Sequence, residues 1–146
     1  MTTAPAVNGQ TVALAHYATK AVLEKALAPT GLTYLQSLTL NFAAAQGGSV
    51  TRTQITDRLQ EAFKIDHEAA LTPVTELLTA GLLAPDATDP STVHLTPRGA
   101  SLQQETSPLG PTIAARLYEG FTPEELATAG RVLATVTSRA NAELDG

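Results

Sequence analysis

The 146-residue chain has no cysteine and no tryptophan, and only one methionine. Without thiols it can form no disulfide, no thiol redox sensor and no cysteine-ligated metal site. Lysine is scarce, at Lys20, Lys25 and Lys64 only. With arginine it makes 9 cations against 14 carboxylates, a formal charge of −5. A basic face is the usual footprint of a nucleic-acid binder, so any such face here has to be local. No apolar run approaches the ~18 residues of a membrane span. The segment Met1-Thr-Thr-Ala-Pro-Ala-Val7 carries neither the basic region nor the apolar core of a signal peptide. A cytoplasmic protein with no membrane contact is therefore expected. The three histidines, His16, His67 and His94, fall on different expected elements, and no pair has helical i, i+4 spacing. There is also no P-loop, no Gly-x-Gly-x-x-Gly and no Ser-His-Asp order. No metal, cofactor or catalytic activity is expected.

What is present is helix-start chemistry. Hydrophobic content of 43% and charged content of 16% are those of an ordinary globular chain, and the length is that of one domain. Residues 1–7 read as a flexible tail. A first helix follows from about Asn8 to Leu27, with a wide apolar stripe of Val12, Ala15, Tyr17, Val22, Leu23, Ala26 and Leu27. Thr33 with Gln36 has the spacing of a capping box, and Gln46-Gly47-Gly48 closes that helix. Leu35, Leu38 and Phe42 form its expected apolar face. Thr96-Pro97 offers a cap with proline at the first helical position. Phe121-Thr122-Pro123-Glu124-Glu125-Leu126 combines cap, proline, capping box and hydrophobic staple. The last helix then carries Leu126, Ala129, Leu133, Val136, Ala140 and Leu144 on one face. Pro108-Leu-Gly-Pro111 interrupts the helix that starts at Pro97, so a kink or two pieces is expected.

Residues 49–99 organise the chain as strand, helix, turn, helix and hairpin, a winged helix-turn-helix. Val50-Thr51-Arg52-Thr53-Gln54-Ile55 holds a capping box and a staple at once, and the helix it starts presents Ile55, Leu59 and Phe63. Two readings of the next helix compete. Either Thr72 caps a short piece with Pro73 at its first position, or Asp66 caps a longer kinked helix with Pro73 inside it. Ala80-Gly81 ends the helix in both cases. Leu82-Leu83 and Thr92-Val93-His94-Leu95 flank the turn-rich Pro85-Asp-Ala-Thr-Asp-Pro90.

These motifs, in this order, resemble the MarR family of winged-helix regulators. The matching stretches are Leu32-Thr33-Tyr34-Leu35-Gln36, Leu77…Gly81-Leu82-Leu83, Leu95-Thr96-Pro97-Arg98-Gly99 and Phe121-Thr-Pro-Glu-Glu-Leu126, and together they span roughly residues 8–144. The resemblance implies a mainly α fold with a small β-hairpin wing in one domain over 1–146. Residues 8–30 and 97–146 would supply dimerisation helices, and 31–96 the winged helix-turn-helix. It places the start of the recognition helix near Asp66, which favours the longer helix. Two departures stand out. The residues Gln60-Glu-Ala-Phe-Lys-Ile65 lengthen the preceding helix by about one turn, and the wing carries no arginine.

The function implied is a homodimeric transcriptional regulator that binds double-stranded DNA and responds to a small-molecule effector. The candidate DNA-binding residues are His67, Glu68, Thr72 and Thr75 on the recognition helix, with Arg52, Arg58 and Arg98 at phosphates. Glu68 can accept from a cytosine amino group, or can simply be a first-turn carboxylate favoured by the helix dipole. His16, Tyr17, Tyr34 and Arg116 are the candidate effector pocket, the tyrosines being core residues on the alternative reading. Val12, Ile113, Leu117, Leu126, Leu133, Val136 and Ala140 are the candidate dimer interface. Residues 49–99 hold only Arg52, Arg58, Lys64 and Arg98 against Asp57, Glu61, Asp66, Glu68, Glu76, Asp86 and Asp89. That balance keeps a second function open, a degenerate winged helix with little DNA affinity acting as a protein-interaction or ligand-binding module.

Overall fold

The computed structural model describes residues 4–146, so the part of the expected tail covering 1–3 lies outside the described residues. Helices dominate: α1 (Gly9–Leu27), α2 (Tyr34–Ala45), α3 (Arg52–Phe63), α4 (His67–Thr79), α5 (Pro97–Thr106), α6 (Leu109–Leu117) and α7 (Pro123–Asp145). A 3-10 turn, Ala28–Thr30, follows α1. Strands β1 (Ser49–Thr51), β2 (Leu83–Pro85) and β3 (Thr92–Leu95) form one antiparallel sheet in the order β1-β3-β2. The architecture is a winged helix-turn-helix, mainly α with a small sheet.

The helix starts form as their side chains dictate. Reciprocal capping boxes close α1 at Asn8 and Thr11, α2 at Thr33 and Gln36, α3 at Thr51 and Gln54, and α7 at Thr122 and Glu125. Each satisfies two backbone donors that a helix start otherwise leaves to solvent. Beyond Leu59 the chain stays helical, and α3 runs to Phe63. It ends on Lys64, whose φ of 55° supplies the left-handed residue that glycine usually provides. Asp66 caps α4 by accepting from the Ala69 amide at 2.8 Å, so the longer helix forms and Pro73 lies inside it. Proline removes the amide that would have bonded the Ala69 carbonyl. The side chain of Pro73 compensates by being fully buried. Pro108 separates α5 from α6, as two pieces.

The core lies under the sheet and between α2, α3 and α4. Leu40 and Ala43 from α2, Ile55 and Leu59 from α3, and Ala70, Val74 and Leu77 from α4 meet Val50, Leu83 and Val93 from the strands. The α4 spacing is i, i+4, i+7, one helical face. The apolar face expected for α2 packs against the core through Leu35 and Phe42, while other residues of the helix are buried more deeply. Leu35, Leu38 and Phe42 are only half-buried, whereas Ser37, Thr39, Leu40 and Ala43 are buried. The hydroxyls of Ser37 and Thr39 can be buried because they donate to the Tyr34 and Leu35 carbonyls, both at 2.8 Å. The wide stripe of α1 is likewise not covered within the chain, where Leu27 is its only buried residue.

The chain divides into two compact units, the first reaching Ile113 and the second being Ala114–Gly146. In the first, α5 packs against α2 and β3. In the second, α7 has no buried residue. Ile113, expected at the dimer interface, is 6% exposed in the single chain and has little surface left to offer a partner.

A tight junction joins the end of α4 to the start of α5. Gly81 takes φ 75° and turns the chain out of α4. The Thr96 hydroxyl donates to the Gly81 carbonyl at 2.7 Å while accepting from the Gly99 amide at 3.0 Å. The Thr96 amide donates to the Leu82 carbonyl at 3.2 Å, and Arg98 donates through Nη1 to the Ala80 carbonyl at 3.0 Å. Gly99 is buried against Leu82 so closely that a Cβ there would overlap the Leu82 carbonyl oxygen. Gly99→Ala is expected to destabilise the protein by about 1–3 kcal/mol, the range for an overpacked site. Thermal or denaturant unfolding checks this. An unchanged midpoint would show that the contact relaxes freely.

Candidate nucleic-acid interface

The outer face of α4 is exposed and carries no cation. His67, Glu68, Thr72 and Thr75 are all exposed on it, and His67–Thr79 contains neither lysine nor arginine. The Thr72 hydroxyl donates to the Glu68 carbonyl at 3.1 Å, so its oxygen remains free to accept. Among the described residues the one ion pair is Lys20–Glu24 at 3.2 Å, which leaves Glu68 and Glu76 without a basic partner. At the first turn of α4 the carboxylates of Asp66 and Glu68 stand where the helix dipole favours negative charge.

The three arginines between residues 49 and 99 are held by the fold. Arg52, at the start of α3, donates from its amide to the Ser91 carbonyl at 2.9 Å and from Nε to the Pro90 carbonyl at 3.1 Å. Its guanidinium is thus anchored at the base of the wing, with both Nη groups free of protein hydrogen bonds among the described residues. Arg98 is tied to the last turn of α4 through Ala80. Arg58 lies over the Phe42 ring, with its guanidinium carbon 4.9 Å from the centroid. The anchoring of Arg52 has no sequence signal, because Pro90 is 38 positions away.

The wing turn is built from carboxylates. One Asp86 oxygen accepts from the Thr88 hydroxyl at 2.7 Å and from the Thr88 and Asp89 amides at 3.0 Å. Asp89 accepts from the Ser91 hydroxyl at 2.6 Å, the Ser91 amide at 3.0 Å and the Thr92 hydroxyl at 2.9 Å. Such bonds favour the ionised form. The Thr88 hydroxyl first, and then the backbone amides, hold the Asp86 carboxyl below its ordinary value. The Ser91 and Thr92 hydroxyls do the same for Asp89. The turn therefore keeps two negative charges at its tip. A narrow minor groove attracts cations, so this tip does not favour it.

A cleft of about 490 Å³ opens behind α4, lined by His16, Lys20 and Glu24 of α1, Thr33, Tyr34 and Leu35, Phe63, and Ala69, Thr72, Pro73 and Glu76. The Lys20 ammonium sits 5.2 Å from the Tyr34 ring centre, and Tyr34 meets Phe63 edge-on at 6.0 Å. Two expected pocket residues, His16 and Tyr34, are brought together here. Tyr17 is not among them. It is 67% exposed beside His16, neither a pocket wall nor a core residue. Arg116 is exposed on the last turn of α6, in the C-terminal unit. Lys20 and Glu24 were missed, although with His16 they follow i, i+4, i+8 spacing on one face of α1.

No family model matches the chain, and no curated protein sequence matches it. Solved structures do. A mutant MarR from E. coli complexed with operator DNA superposes with a TM-score of 0.71 at 22% identity, over 88% of this chain and 91% of that one. A MarR-family transcriptional regulator from Rhodococcus sp. RHA1 gives 0.72 at 21% identity, over 88% and 92%. CouR from Rhodococcus jostii RHA1, bound to p-coumaroyl-CoA, gives 0.72 at 20%, over 88% and 90%. The chain has the MarR winged-helix fold. Within this MarR-like frame three local features stand out in this chain: an α3 that runs on to Phe63, a proline inside α4 and two carboxylates in the wing turn.

The acidic wing has a pH signature. Both folded carboxyls titrate below the unfolded aspartate value of ~3.9. Their contribution to wing stability is therefore full above that value and is lost as pH falls through the folded values. Carbon-detected NMR titration should place the Asp86 and Asp89 midpoints below ~3.9. Midpoints at or above it would contradict the turn described.

Proposed function

We propose that this chain is a homodimeric, MarR-like DNA-binding transcriptional regulator acting in the bacterial cytoplasm, with no enzymatic activity of its own. The observation that carries the reading is the exposed outer face of α4, locked at its C-terminal end by residues 96–99 in a winged-helix frame. One protein of similar fold was solved with operator DNA. On this reading Glu68, Thr72, Thr75 and His67 address base edges, while Arg52, Arg58 and Arg98 address phosphates. The cleft behind α4 takes a small aromatic effector between Tyr34, Phe63 and His16. It shares Thr72 with the reading face, which gives the effector a direct route to that face. A similar fold bound to p-coumaroyl-CoA supports a ligand-responsive reading.

Dimerisation is supported by apolar surface that the single chain leaves open. On α7, Leu126, Ala129, Leu133, Val136 and Ala140 alternate spacings of three and four, the seam of a helix that packs on another helix. Leu126, Leu133 and Val136 are 39%, 40% and 52% exposed, and Val12 and Leu117 are exposed as well. Leu133→Asp is expected to halve the mass seen by light scattering, because a buried unpaired carboxylate is strongly unfavourable. A wild-type monomer at micromolar concentration would contradict the dimer.

The second reading, a winged helix with little DNA affinity serving as an interaction or ligand-binding module, is favoured by the cation-free α4 and the two wing carboxylates. Salt dependence separates the two. With two or three phosphates neutralised per subunit, about five per dimer, and ~0.9 per contact, binding should fall with a log–log slope of roughly −4 to −5. Arg52→Ala with Arg58→Ala should weaken all sequences alike, whereas Glu68→Ala should alter preference at one base pair. Absence of binding at low salt by a stable dimer would favour the module.

A further inference from the structure

Two aromatic rings set nearly at right angles bound the cleft behind α4. Tyr34, the first residue of α2, and Phe63, the last of α3, have ring centres 6.0 Å apart and planes at 77°. A planar ring laid on one of them meets the edge of the other, an arrangement that aromatic groups favour. The volume of about 490 Å³ falls within the ~300–1,000 Å³ of small-molecule sites.

Charge separates the ligands that could use these rings. Lys20, Glu24 and Glu76 all line the cleft. Lys20 and Glu24 cancel, because the ammonium lies 3.2 Å from the Glu24 carboxylate. The same ammonium is 5.2 Å from the Tyr34 ring centre, so its charge is already used twice. Glu76 has no such partner, and among the described residues its carboxylate makes no ion pair. Two turns earlier on α4, Ala69 also lines the cleft, and its carbonyl lacks the amide that position 73 would have supplied. An anionic ligand would have to draw Lys20 away from Glu24 and would leave two like charges beside itself. A cation with N–H donors meets the one charge that the cleft leaves unbalanced.

We infer that the cleft behind α4 binds an aromatic amidinium or ammonium cation, its ring against Tyr34 and Phe63 and its charged N–H head at Glu76. The inference rests on the reading of this cleft as an effector site and adds the sign of the effector's charge. Benzamidine, benzamide and benzoate present one ring with a positive, a neutral and a negative head at neutral pH. Each is titrated into the full chain and followed by amide chemical shifts. Benzamidine should give saturable shifts centred on Tyr34, Phe63 and Glu76. It should bind about ten-fold more tightly than benzamide, the low end for a hydrogen bond to a charged group, and benzoate should be the weakest. Glu76→Gln should remove that preference and leave benzamide unchanged. Lys20→Gln should tighten benzamidine, because it uncovers Tyr34 and frees Glu24, whereas a site built for anions would lose binding. Equal or tighter binding of benzoate or benzamide at these residues would overturn the charge assignment and leave the effector cleft in place. No saturable shift there from any of the three would remove the cleft reading as well. An unaltered preference in folded Glu76→Gln would also contradict the inference. If a variant does not fold, the ranking of the three probes on the wild type decides.

Discussion

The junction between Ala80–Leu82 and Thr96–Gly99 is the constraint on which the rest depends. An α-helix leaves its last carbonyls unpaired; at the end of α4 those of Glu76, Leu77 and Leu78 are met by the Ala80, Leu82 and Gly81 amides, and the carbonyls just beyond, of Ala80, Gly81 and Leu82, by the Arg98 guanidinium, the Thr96 hydroxyl and the Thr96 amide. The same threonine caps α5, so one hydroxyl ends one helix's environment and begins the next. Gly99 permits the approach by having no Cβ. The hairpin between these two ends has its length and direction fixed by them. The orientation of α4 relative to wing and sheet follows, as does the face it shows to solvent.

Charge is the second organising feature. The chain is short of cations, and the three arginines between residues 49 and 99 already have structural work. Arg98 closes the end of α4, Arg52 fastens the wing base to α3, and Arg58 lies on Phe42. Each keeps edge donors for a second partner, so structural use and phosphate contact are compatible. The carboxylates are equally structural, since Asp66 caps α4 while Asp86 and Asp89 fold the wing. The acidity of the α4 start and the wing therefore results partly from using aspartate to build turns. Any sequence preference then rests on short polar groups such as Glu68, Thr72 and Thr75, and on DNA shape, rather than on arginine in the groove.

Most of the frame was legible in the sequence because capping chemistry is local. Thr33-Gln36, Thr51-Gln54 and Thr122-Glu125 specify their helix starts within four residues, and Asp66 and Gly81 bound α4 in the same way. What was not legible depends on contacts distant in sequence. Periodicity pointed to Leu35, Leu38 and Phe42 as the apolar face of α2, and Leu35 and Phe42 do pack against the core. It could not show that neighbours cover α2 on more than one side, which buries Thr39 and Leu40 as well. Ile113 reads as interface from its apolar character, yet it is already buried in the chain. Tyr17 neighbours a pocket residue in sequence, and the helical step of about 100° per residue carries it off that face. Of the cleft, His16 and Tyr34 were found, while Lys20, Glu24 and the α4 residues emerged only with the fold.

The central claim is that a cation-poor α4, held by this junction, still reads DNA. Selection from a fragmented genomic library by the purified protein at low ionic strength, with sequencing of the bound fragments, tests it most directly. The account predicts enrichment of a few fragments that share a two-fold symmetric element with half-sites about one helical turn apart, as a symmetric pair of readers requires. It also predicts that Glu68→Ala changes one position of each half-site. Recovery of the library without enrichment, by a protein that is folded and dimeric, would contradict the claim.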